Sequence, residues 1–190
     1  EVHPRAITYG MKEGCDARVV EFGPHGVGSS FVLELPDGTR VSSKVKQNPG
    51  VHNVLNAAAV LTLIWALGLD VEKAACVLAE FAGVRRRFDW VGEAAGVTVV
   101  DDYAHHPTEI AATIAAAKTL DFEHVHVLFQ PHRYSRAPLF TEVLHDEFGS
   151  AFDAADTVTF MDVYPAGEAP VPGVSGTTFL SVVLDHEGHP

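Results

Sequence analysis

Along the first quarter of the chain, apolar and polar positions alternate in short runs. Arg18-Val19-Val20-Glu21-Phe22, Phe31-Val32-Leu33-Glu34-Leu35 and Arg40-Val41-Ser42-Ser43-Lys44-Val45 combine that alternation with β-branched residues, the pattern of half-buried strands. Pro36-Asp37-Gly38-Thr39 predicts a hairpin turn between the last two, since Asp-Gly readily supplies positive φ. Residues 1 to about 47 are expected to form a small antiparallel sheet. Gly23-Pro24-His25-Gly26-Val27-Gly28-Ser29-Ser30 is Gly-rich but lacks the Lys and helix of a phosphate loop, and reads as a plain loop.

After Asn48-Pro49-Gly50 the period lengthens. Leu55, Ala58, Ala59, Thr62 and Leu63 recur three to four apart, predicting a helix that ends near Gly68. A second helix is expected over 71 to 80, and a domain boundary near Gly83. From 85 onward, strand and helix patterns alternate. Val97 to Val100 precedes a helix starting near Pro107, His124 to Phe129 precedes one at 138 to 148, and Thr157 to Met161 precedes one at 176 to 184. Such alternation implies crossover units, a parallel sheet with helices on both faces, and thus an α/β fold.

Composition narrows the function. With 47% hydrophobic residues among 190, the chain can bury one substantial core or two small ones. A net charge of -12 opposes non-specific nucleic-acid binding, so an anionic ligand needs a local basic cluster. Cys15 and Cys76 are far apart and outside any CxxC spacing, which fits reduced cytoplasmic thiols better than a disulfide or zinc site. No run is apolar enough for a membrane span, so a soluble protein without a membrane partner is expected. The start at Glu1 and the stop at Pro190, with no closing element before it, read as cut ends.

In an open parallel sheet, ligands bind beyond the carboxyl ends of the strands. Three polar strings fall there: Asp101 to Glu109, Gln130 to Arg136, and Asp162 to Glu168. Singly, each has an ordinary explanation; Pro107 and Glu109, for example, suit a helix's first turn. Three strings on one edge point to a composite site. His105 and His106 are adjacent on a loop without a third ligand at motif spacing, so no zinc site is expected. Arg133 and Arg136, three apart, can form a fork for carboxylate or phosphate. Arg85-Arg86-Arg87 fits either a solvated hinge or a phosphate contact. Asn53 and Asn56 lie at a helix start, where capping explains one of them; two carboxamides on one face can meet a flat heterocycle such as adenine.

In order and spacing, Gly50 to Asn56 before an Ala-rich helix, Phe81-Ala82-Gly83-Val84-Arg85-Arg86-Arg87-Phe88, and the Asp101 to Glu109 string resemble the Mur ligases. Phe129 to Arg136 and Val163-Tyr164-Pro165-Ala166-Gly167-Glu168 add a likeness to the family's L-alanine-adding members. The resemblance implies a Rossmann-like carboxy-terminal domain over 85–190, with a mostly parallel sheet, that binds the amino acid and lacks its final elements. Before it, 1–84 would be the antiparallel strands and helices that end a central ATP-binding domain. The implied activity is ATP- and Mg2+-dependent joining of L-alanine to the carboxylate of UDP-N-acetylmuramate, through an acyl phosphate, in cytoplasmic peptidoglycan synthesis. A monomer or homodimer is implied, and this chain alone, without a phosphate loop, is expected to be inactive.

Carried over residue by residue, Asn53 and Asn56 would contact adenine, Asp102 the ribose and Arg87 the terminal phosphate, with His52 near the nucleotide. Tyr103, His105, Arg133 and Arg136 would hold the amino acid and the reacting carboxyl region. Most magnesium ligands would lie outside this chain. Two alternatives stand beside this reading: the ligase that reattaches a recycled tripeptide to UDP-N-acetylmuramate, which usually differs after the second strand, and a non-catalytic nucleotide-binding module.

Overall fold

The computed structural model describes residues 6–46 and 49–186, so Asn48 before the first helix and the chain end at 187–190 lie outside the described residues. Two compact units meet between Asp102 and Tyr103. The architecture is mixed α/β.

In the amino-terminal unit, β1 (Tyr9–Gly10), β2 (Ala17–His25), β3 (Gly28–Glu34) and β4 (Arg40–Val45) form one sheet in that order. β1 runs parallel to β2, and the other pairings are antiparallel. The hairpin turn between β3 and β4 has Gly38 at φ +84. The Asp37 carboxylate accepts hydrogen bonds from the Thr39 N–H and from Trp65 Nε1, both near 3 Å, tying that turn to the end of the first helix.

The Gly-rich stretch is not a loop. β2 continues to His25 and β3 begins at Gly28, leaving a tight turn with Gly26 at φ +58. A side chain at Gly28 would overlap the Val45 carbonyl, so this glycine serves close strand approach.

α1 (Val51–Ala66) and α2 (Val71–Glu80) pack on this sheet. The buried stripe of α1 is Val54, Ala57, Ala58, Leu61 and Thr62, rotated by one residue from the expected one, and Leu63 is exposed. Both stripes satisfy a helical period. The sheet selects the one that brings Val54 and Leu61 against Phe31 and Leu33. α2 starts at Asp70, whose carboxylate accepts from the Lys73 N–H.

β5 (Asp89–Ala94) and β6 (Val97–Asp101) form an antiparallel hairpin. The pattern marked β6 but not β5. Its turn, Ala95-Gly96, has φ of +52 and +78, the left-handed pair that suits a two-residue hairpin loop.

In the carboxy-terminal unit, β7 (His126–Phe129) and β8 (Thr157–Phe160) pair in parallel, with α3 (Pro107–Lys118), α4 (His145–Ser150) and α5 (Gly176–Asp185) around them. Phe129, Phe140, Phe148, Phe152 and Phe179 form the core. The helix expected over 138–148 is broken: a π-type turn at Leu139–Val143 precedes α4, with Leu144 at φ -114 and ψ +35. In a continuous helix, residues eight apart would be separated by about 12 Å along the axis. Here the Phe140 and Phe148 rings stack with centroids 4.9 Å apart, so aromatic packing accompanies the break.

Candidate active site

The amino-terminal unit holds the first group of candidate residues. The N-cap of α1 is Gly50, at φ +102, which has no side chain to cap with. Neither Asn is therefore the cap. Asn53 Nδ2 reaches back to the Pro49 carbonyl at 3.0 Å and lies 2.9 Å from His52 Nε2, while Asn56, one turn on, is exposed. Burial lowers the pKa of His52, and the nearby Asp102 carboxylate pulls it partly back up. His52 and Asp102, 50 residues apart in sequence, are thus electrostatic neighbours.

The arginine run is an ordered turn. Arg86 and Phe88 both have positive φ, +59 and +50. The Asp102 carboxylate accepts from the Phe88 N–H at 2.7 Å, and Asp89 accepts from the Arg86 N–H at 3.2 Å. Arg86 Nε lies 3.4 Å from Asp101. These carboxylates hold a conformation that L residues rarely adopt, and they set the exposed Arg87 at a fixed place on the turn.

In the carboxy-terminal unit, residues from all three polar strings come together. Beyond β7 and β8 the parallel pairing continues as a bridge between His132 and Tyr164. The Tyr164 N–H donates to the Pro131 carbonyl at 2.8 Å, and the Arg133 N–H to the Tyr164 carbonyl at 2.9 Å. The His132 ring stacks on Tyr164, with centroids 5.6 Å apart, and its Nε2 lies 3.3 Å from Tyr103 Oη. Tyr103 also meets His105 edge-on at 5.1 Å.

His105 Nδ1 is 2.9 Å from the Tyr103 carbonyl. A carbonyl only accepts, so Nδ1 carries a hydrogen, and in the neutral ring Nε2 is the acceptor. His106 has a different task. It is the N-cap of α3, with Nδ1 accepting from the Thr108 N–H, while Glu109 accepts from the His105 and His106 N–H groups.

Arg133 adopts φ +74 at the start of a short 3-10 turn, Tyr134–Arg136. Glu168 joins that turn from the other loop, accepting from Ser135 Oγ at 2.6 Å and Ser135 N–H at 3.0 Å, with Arg133 Nη1 at 3.7 Å. The Ser135 bonds, ahead of the Arg133 charge, hold the Glu168 carboxyl below its ordinary pKa. Burial, then the charges of Arg136, Arg133 and His105, lower the pKa of His132 against the pull of Glu168. His132 Nδ1 is buried without a hydrogen-bond partner among the described residues. The arrangement offers cationic forks, an aromatic wall and imidazoles, which suits an anionic ligand bearing an amine. His132, beside the basic pair Arg133 and Arg136, was read with them as facing an anionic ligand, whereas Ser135 and Glu168 were not singled out from the sequence, although they sit inside the strings it marked.

A parallel sheet with polar groups gathered beyond its strand ends belongs to the class of α/β folds that bind ligands at that edge. Residues 86–183 match the family model described as Mur ligase, glutamate ligase domain, and the chain belongs to that family. It is 43% identical to a UDP-N-acetylmuramate--L-alanine ligase from Rhodopseudomonas palustris (strain BisB5), over 97% of this chain and 40% of that protein. The crystal structure of a UDP-N-acetylmuramate-alanine ligase from Thermotoga maritima superposes with a TM-score of 0.72 at 29% identity, covering 96% of this chain and 38% of that one. A murein peptide ligase from Psychrobacter arcticus 273-4 gives 0.54 at 25% identity, covering 80% of this chain and 31% of that one. The chain spans about 40% of the length of the curated relatives it matches.

Proposed function

We propose that this chain is part of an ATP-dependent ligase that joins L-alanine to the carboxylate of UDP-N-acetylmuramate. The observation that carries the reading is the meeting of Tyr103, His105 and the Arg133–Arg136 turn at one edge of a sheet whose likeness to L-alanine-adding ligases runs along nearly the whole chain. Residues 1–84 would end the ATP-binding domain, and 85–190 would belong to the amino-acid-binding domain.

In this reading ATP phosphorylates the muramate carboxylate, and the amine of L-alanine displaces phosphate from the resulting acyl phosphate. Magnesium, bound with ATP, neutralises phosphate charge. Asn53 and Asn56 present carboxamides to adenine, Asp102 accepts from ribose hydroxyls, and Arg87 meets the terminal phosphate, with His52 neutral beside them. Arg133 and Arg136 bind carboxylate or phosphoryl oxygens. Tyr103 and His105 border the amine, where the acceptor Nε2 of His105 steers it. The activity belongs to the cytoplasm, as a monomer or homodimer.

Phosphate release by the full-length protein carrying this chain, given ATP, magnesium and UDP-N-acetylmuramate, tests the proposal. Release is expected to depend on L-alanine. Release with the recycled tripeptide alone would transfer the chain to the recycling ligase, and none with either would leave a nucleotide-binding module. The higher structural likeness to the Thermotoga enzyme than to the murein peptide ligase favours the first outcome.

A further inference from the structure

We propose that Glu168 is a positioning residue for the amino-acid subsite, acting through Ser135 to fix the Arg133–Arg136 turn; this rests on the ligase reading above. The two segments are 33 residues apart in sequence, so this contact is a tertiary one that no local helix or turn bond supplies. Arg133 has a backbone conformation that is costly for an L residue. Holding it there requires bonds from outside the turn, and the 163–168 loop supplies them: the Tyr164 carbonyl takes the Arg133 N–H, and the Glu168 carboxylate takes both donors of Ser135.

Glu168 is itself aimed by a left-handed turn. Ala166 and Gly167 have φ of +50 and +86, and the Glu168 N–H donates back to Pro165. Distances separate its two jobs. Ser135 Oγ at 2.6 Å is a short, charge-assisted hydrogen bond, whereas Arg133 Nη1 at 3.7 Å is a loose ion pair on a half-exposed guanidinium. The carboxylate therefore anchors the backbone of the turn firmly and leaves the Arg133 fork available to an anionic ligand. Glu168 touches no reacting atom in this scheme. It sets where the two guanidiniums stand.

Two measurements test the assignment. In the full-length ligase, Glu168→Ala should raise the KM for L-alanine about 10-fold while kcat and the KM for ATP change less than about 2-fold, the size expected for losing one charge-assisted anchor. Glu168→Gln, which keeps an oxygen acceptor for Ser135, should recover most of that loss, and Ser135→Ala should fall between them. In the 190-residue chain itself, the Ser135 amide should exchange with solvent about 10-fold faster in Glu168→Ala, with Phe129 unchanged. An unaltered KM for L-alanine, or a uniform fall in kcat with both KM values raised, would overturn the proposal. So would an unaltered Ser135 exchange rate, a result that stands even if the parent protein shows no dependence on L-alanine and the ligase reading itself fails.

Discussion

The candidate residues of the two units are held in place by different means. In the amino-terminal unit most of them sit on or beside regular elements: His52, Asn53 and Asn56 on the first turns of α1, and Asp102 just past β6, with Arg87 on the turn before β5. Their neighbours are backbone groups, such as the Pro49 carbonyl and the Phe88 N–H. In the carboxy-terminal unit nearly every candidate sits in a loop and is fixed by another loop, as Tyr103 is by His132 and Ser135 by Glu168. A site on a helix inherits its geometry from the helix period. One built from crossing loops depends on each side chain that ties them, so substitutions in the second unit should be the more damaging.

The largest effect is expected at the arginine fork. Arg136→Ala should lower kcat/KM for L-alanine by about 100-fold in the full-length protein, the cost of a lost charge-assisted contact. If steady-state kinetics show less than a 3-fold change, the fork does not hold the amino acid or the reacting carboxyl. Next comes Asp102→Ala, which leaves the N–H of the buried Phe88 without this acceptor. A loss of about 1–3 kcal/mol in urea denaturation is expected, together with a raised KM for ATP. Stability unchanged within error would deny Asp102 its role in holding the arginine turn.

Much of this was legible in the sequence, and the omissions have a common cause. The β3–β4 hairpin, α1, α2, α3 and α5 follow from period, turn chemistry and caps that act over a few residues. So do the identities of the three polar strings. The rotation of α1 by one position was hidden because apolar residues cover more than half of its circumference, and only the sheet chooses among them. The π-type turn at 139–143 accompanies the stacking of Phe140 on Phe148, which the helical period does not encode. Among the polar groups, Pro107 and Glu109 were readable as a helix's first turn, whereas the His106 cap needed the structure and Glu168 needed the contact with Ser135 to show what it does. A short Pro-Ala-Gly-Glu turn beside a basic string was the available signal.

Titration probes the side-chain contacts that hold the carboxy-terminal unit. His132 should titrate below its ordinary value of 6.5 in proton NMR, because burial and then Arg136 disfavour its charged form. Arg136→Ala should move the midpoint upward, and no movement would mean the two side chains do not interact. A depressed histidine pKa makes its contribution to stability complete above pH 6.5 and lost as pH falls through that range. Asp156, held by Lys118 and the Val125 N–H, has its carboxyl at about 2. Its folded pKa is below the ordinary 3.8, so this stabilisation is present above about pH 4 and disappears as pH falls from there toward 2. Acid unfolding of Asp156→Asn should lack that component. The smallest effect is structural: Ala95→Gly, at φ +52, should stabilise the β5–β6 hairpin by about 1 kcal/mol in thermal melts, and a destabilisation would deny the strain at that turn.

In the proposed reading, the first unit's residues serve the nucleotide and the second unit's serve the amino acid. That division is tested most directly by measuring the KM values for ATP and L-alanine in full-length Asn56→Ala and Arg136→Ala. Asn56→Ala should raise the KM for ATP about 5-fold or more and leave that for L-alanine within about 2-fold, and Arg136→Ala should do the reverse. Equal rises in both constants for both variants, or a rise in the opposite constants, would contradict that division.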